Sequence, residues 1–158
     1  MSTLEMGQAN FAVLASEILG GGSGLRFRAR GVSMQPFIRD GDILEVQPPG
    51  VAALRRGDVV LCHLGGGRLV AHRVVRIIRE NSGATTAVTQ GDALTCPDLP
   101  VSWEQVLGHV VAVERRGKRI GLDTPLQRLA GITWMCLSPC GQWLHYVWAA
   151  FGRRLCRR

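Results

Sequence analysis

Asp58-Val59-Val60-Leu61-Cys62-His63-Leu64-Gly65-Gly66-Gly67-Arg68-Leu69-Val70-Ala71-His72-Arg73-Val74-Val75-Arg76-Ile77-Ile78 is the stretch on which the fold turns. Short apolar runs rich in Val and Ile, set on either side of a glycine turn, read as two strands of a hairpin. Working outward, Leu25-Arg26-Phe27-Arg28-Ala29 alternates, and Ile43-Leu44-Glu45-Val46 follows as a second short strand. Thr85–Thr89 and Val106–Val113 add two more. Pro48-Pro49-Gly50 and Cys96-Pro97-Asp98-Leu99-Pro100 mark turns or loops. The expectation is a mainly β fold of coiled antiparallel sheets across residues 25–122, with no internal repeat.

Two different segments flank this domain. From about residue 3 to 19 an amphipathic helix is expected, with Phe11, Leu14, Ala15, Ile18 and Leu19 on its apolar face. Gly20, Gly21, Gly22 and Gly24 end it, so residues 1–24 form a helix and linker. It is too short and too polar to span a bilayer. Residues 123–158 form a Trp-rich, Arg-ended helical segment carrying Trp134, Trp143, Tyr146 and Trp148. Pro139, Gly141, Gln142 and His145 interrupt it, which favours an interfacial membrane contact over a span, with a helical extension packed on the β domain as the plainer alternative.

Composition sets further bounds. The chain has 158 residues, 46% of them hydrophobic and 20% charged, which fits one folded domain and excludes a disordered chain. The net charge of +7 admits an anionic surface or nucleic acid as partner, and equally a scatter of solvated arginines. Five cysteines show no repeated close pair, so no metal site is expected and free thiols are. No stretch reads as a cleavable secretory leader. Localisation is expected to be membrane-associated or cytoplasmic.

The chemistry sits in an ordered series of blocks. Gly31-Val32-Ser33-Met34-Gln35-Pro36 presents a serine on a turn fixed by glycine and proline. Gly41-Asp42 and Arg56-Gly57-Asp58-Val59-Val60 follow, then Ala71-His72-Arg73-Val74, then Gln90-Gly91-Asp92-Ala93, with Asp98 behind. A serine needs a base, and arginine stays protonated at any working pH. Lys118 is the one lysine among 19 basic residues, so a histidine is the expected base. His72 shares a strand face with Val70 and Val74, which favours its neutral form, while Arg73 faces the other way. His63, His109 and His145 are weaker candidates. Asp92 or Asp98 would orient the imidazole, and both stay open. Asp40, Asp42 and Asp58 read as hydrogen-bonded turn residues.

Together these blocks resemble the type I signal peptidases and the fold group they share with self-cleaving repressors. The pair His72-Arg73 stands where the bacterial branch has lysine before arginine, and so is similar to the archaeal and endoplasmic-reticulum branch with a histidine base. The resemblance implies a serine endopeptidase that removes leader segments with small residues before the cut. Ser33 would be the nucleophile, His72 the base, Asp92 or Asp98 its partner, and Met34 and Pro36 substrate contacts. It implies no metal and no organic cofactor. The expected partner is a precursor peptide, with a membrane surface as second candidate and no nucleic acid.

Two alternatives stand beside it. One is a non-catalytic peptide-binding or membrane-surface module on the same scaffold. The other is a self-cleaving repressor, which calls for a DNA-reading helical domain where only about 24 residues precede Leu25.

Overall fold

A computed structural model describes residues 8–49, 54–64, 68–79 and 83–137. Helix α1 (Gln8–Gly20) is followed by strands β1 (Leu25–Arg28), β2 (Ile43–Gln47), β3 (Val59–Leu64), β4 (Arg68–Arg79), β5 (Thr85–Gln90), β6 (Val101–Ser102), β7 (Val106–Arg115) and β8 (Lys118–Gly121). A second helix, α2, covers residues 125–137. Trp143, Tyr146, Trp148 and the terminal arginines, expected above in a helical segment, lie outside the described residues.

All the strands pair antiparallel in one curled sheet, in the order β1-β2-β7-β3-β4-β5-β6, with β8 paired to β7. The predicted hairpin is present, with Val59 opposite Arg73 and Leu64 opposite Arg68. Register shifts at Glu45/Val46, Leu61/Cys62 and Val74/Arg76 bend the sheet, as an extra residue on one strand does. Curvature lets a single sheet enclose two cores.

β3 is buried along both faces, which is why it reads as an unbroken apolar run rather than an alternation. Val59 and Leu61 enter a core with Ala15, Leu19, Met34, Ile38, Leu44, Val110 and Val113. Val60 and Cys62 enter the other, with Leu54, Leu64, Val74, Ala87, Val101 and Val106. α1 packs on the first core through Ala15 and Leu19, with Phe11 and Ile18 against it as the spacing predicts, whereas Leu14 points outward at 38% exposure. Ala12 is buried as well, at 4% exposure.

Two elements carry no clear signal in the sequence. β8 returns from β7 through Arg116 and Gly117, whose φ values of 52° and 74° form the left-handed pair that matches strand twist. Arg-Gly is a weak turn signal, since arginine rarely takes that conformation. β6 is only two residues long, too short for any periodicity to show. Among the described residues no helix is long and apolar enough to cross a membrane.

Candidate active site

Ser33 and His72 lie 39 residues apart in sequence, and the fold brings Ser33 Oγ within 3.2 Å of His72 Nε2. The other ring nitrogen, Nδ1, lies 2.6 Å from Asp98 Oδ2. An ionised carboxylate only accepts, so Nδ1 carries the hydrogen and Nε2 is left free to accept from the serine hydroxyl. Thr89 donates its hydroxyl to the same Asp98 oxygen at 2.8 Å, and the Asp98 amide donates to the Thr89 carbonyl at 2.8 Å. These two bonds pin the proline-bounded loop to β5 and aim its carboxylate at β4. His72 is only 4% exposed, and Val70 and Val74 contribute to the core on its sheet face.

Asp92 does something else. It accepts from Arg73 Nε at 2.7 Å and from Arg73 Nη2 at 2.8 Å, a bidentate pair inside the protein. Arg73 Nη1 also donates to the Gly57 carbonyl at 2.8 Å, and its guanidinium lies 4.9 Å from the Phe37 ring. Burial raises the Asp92 pKa above the ordinary carboxylate value, against the opposing pull of Arg73. Local sequence leaves the two aspartates on equal standing; the fold separates them, because His72 and Arg73 send adjacent side chains to opposite faces of β4 and Asp98 returns to one face and Asp92 to the other.

The turn bearing Ser33 is held from below. The Met34 side chain is in the core at 4% exposure, and its carbonyl accepts from the Ile38 amide at 2.9 Å. This corrects the expectation of Met34 as a substrate contact: an apolar side chain here anchors the turn and leaves the neighbouring hydroxyl outward. Pro36 is exposed and follows a cis peptide bond. The Ser33 carbonyl accepts from the Ala93 amide at 2.8 Å, so the 91–93 turn and the serine turn are stitched together.

The remaining candidates fall into structural roles. Asp40 accepts from the Gly31 amide, Asp42 from the Arg39 amide and Asp58 from the Arg55 amide, as expected of turn aspartates. Asp42 and Asp58 also pair with Arg115 and Arg128, contacts between distant segments that no local pattern reveals. Burial opposes ionisation of Asp42, but the bonds from Arg115 and the Arg39 amide outweigh it and hold its pKa below the ordinary value. His63 lies 3.5 Å from Ser16 Oγ. Thr89 leaves no mark in the sequence, because a threonine inside a strand carries no signal of its own. Lys118 sits in β8 opposite Arg115.

Val60 is the register partner of both His72 on β4 and His109 on β7, so the two histidines share a sheet face. Beside His109 opens a cleft of about 310 Å³ with Gln47, Pro48, Leu54, Val60 and Trp103 in its walls. Neither Ser33, His72 nor Asp98 lines it. His145 lies outside the described residues. Among the described residues no group of three or more His, Cys, Asp or Glu side chains could hold a metal ion.

The sheet, the serine turn and the relay behind it define a serine-peptidase-type scaffold. A family model described as Peptidase S24-like matches residues 5–85, just over half of the chain, and the chain belongs to that family. The match includes Ser33 and His72. No curated protein matches the chain.

Proposed function

We propose that this protein is a serine endopeptidase that cuts a leader or signal segment from a precursor peptide. The observation that carries the reading is the continuous relay Ser33–His72–Asp98, with contacts of 3.2 and 2.6 Å. In it Ser33 Oγ attacks the scissile carbonyl as His72 Nε2 takes the hydroxyl proton. Asp98 stabilises the imidazolium, and His72 then returns the proton to the leaving amine. Water, deprotonated by the same imidazole, releases the acyl group. The Ser33 amide is the candidate donor for the oxyanion. No cofactor takes part in this scheme.

Exposed apolar residues support a peptide substrate. Val32, Leu94 and Leu99 are 61%, 41% and 79% exposed, and each is a near sequence neighbour of a group in the site. Exposed apolar side chains next in sequence to site residues suit an apolar leader. Pro36 is the proposed substrate contact on the serine turn. The proposed setting is a membrane surface or the cytoplasm, and the basic C-terminal segment is the candidate for membrane contact.

Cleavage of a leader peptide with small residues before the cut, followed by mass spectrometry, tests the proposal. Ser33→Ala and His72→Ala should each abolish cleavage with unchanged secondary structure. Full activity in either variant would exclude it. A self-cleaving repressor is the second reading, since its fold group is shared. It would split its own chain at a rate independent of protein concentration and bind duplex DNA with steep salt dependence. The repressors that the chain resembles usually have a lysine base, and His72 as the candidate base here weighs against this reading.

A further inference from the structure

The relay makes no use of α2, yet this helix touches the groups that hold Ser33. Thr124 starts it, accepting from the Gln127 amide through its hydroxyl at 3.3 Å, and Pro125 suits a first helical position. Arg128 pairs with Asp58 and fastens the helix to the sheet. One turn on, Gly131 lies against the Arg73 guanidinium, where a Cβ would stand 2.3 Å from Cζ. Glycine is a poor helix former, and this close approach explains its presence mid-helix. Trp134 then donates its indole N–H to the Asp92 carbonyl at 3.1 Å.

Both ends of the serine turn rest on what α2 holds. On one side, Gly91 and Ala93 flank Asp92, and Ala93 donates to the Ser33 carbonyl. On the other, Phe37 lies over Arg73, the residue that Gly131 abuts. We propose that Trp134 and Gly131 are positioning residues for Ser33: α2 latches the 91–93 turn and thereby holds the hydroxyl against His72. The geometric claim stands by itself; its effect on reactivity rests on the reading of Ser33 as nucleophile. A hydroxyl 3.2 Å from Nε2 passes its proton only while that approach is kept, so a loosened turn slows attack without changing the base.

The test uses Trp134→Phe in the full chain, which keeps a ring and deletes the donor. Trp134 is 43% exposed, so the fold should survive. Two readouts are taken: amide hydrogen exchange at Ala93 by NMR, and phosphonylation of Ser33 by an alkyl fluorophosphonate. Loss of one hydrogen bond predicts exchange about tenfold faster at Ala93 and phosphonylation about tenfold slower. Amides of β3 and β7 should exchange as before, and the pH dependence of phosphonylation should keep its shape. Gly131→Ala leaves the indole intact but drives a methyl into Arg73, and should give the same two changes. Leu129→Ala, on the same helix at 61% exposure, should behave as the parent protein.

Unchanged exchange and phosphonylation in whichever of the first two variants folds would overturn the proposal. So would equal changes in Leu129→Ala, because the effect would then be general loosening of a helix. If the parent protein is not phosphonylated at all, the nucleophile reading fails, and Ala93 exchange still decides whether α2 holds the serine turn.

Discussion

The carbonyl oxygen of Ser33 occupies the space where residue 91 would carry a side chain: a Cβ on Gly91 would lie 2.6 Å from it. The backbone of Gly91 is outside the left-handed region, so the constraint is the approach of the serine turn and not the torsion of the glycine itself. Gly91→Ala should therefore displace Ser33. We expect kcat/KM to fall by about tenfold or more with a stability loss of about 1–3 kcal/mol. Steady-state kinetics beside urea denaturation would check this, and wild-type kcat/KM would contradict it.

Asp98 and Asp92 should fail in different ways. Asp98→Asn removes the charge that fixes the Nδ1–H tautomer of His72, and activity should drop by roughly 10²–10⁴ with little loss of stability. Thr89→Val should cost about tenfold through the same carboxylate. Asp92→Asn leaves Arg73 buried without its counter-charge, both side chains being at most 1% exposed, and should cost about 3–5 kcal/mol. Paired activity and melting measurements separate the two residues. A stable, active Asp98→Asn would remove it from the relay.

His109 sets an acid limit on stability. Burial holds its pKa below the ordinary 6.5, against the pull of Asp58 at 3.6 Å and with some help from Arg128. From about one pH unit above 6.5 the imidazole is neutral in both folded and unfolded chains, and pH has no effect through it. Below that the unfolded chain takes the proton more readily, so stability falls as pH falls toward the lower folded pKa. His109→Gln should show a smaller drop in Tm between pH 7.5 and 5.5 than the parent protein. Equal drops would show that another group sets the limit.

Cys62 should resist alkylation in the folded protein. Burial, with the negative charge of Asp98 added, pushes its pKa up to about 12, so almost no thiolate is present at pH 8. Iodoacetamide at pH 8 followed by peptide mapping should find Cys96 and Cys136, both exposed, modified and Cys62 intact. Rapid labelling of Cys62 would mean that the core around β3 opens readily.

By itself the amino-acid order pointed to the β class, to the strands between Leu25 and Val113 apart from the two-residue β6, and to Ser33 and His72 as candidate partners. Those features rest on local signals: Val-rich runs, glycine and proline turns, and a chain almost without lysine to serve as base. Tertiary structure alone decided between Asp92 and Asp98, because the choice depends on which face of β4 each loop returns to. It also withdrew Met34 into the core and brought Thr89, Gly131 and Trp134 to bear on the relay. Each of these is a contact between segments far apart in the chain, and a side chain facing a distant neighbour leaves no trace in its own local pattern.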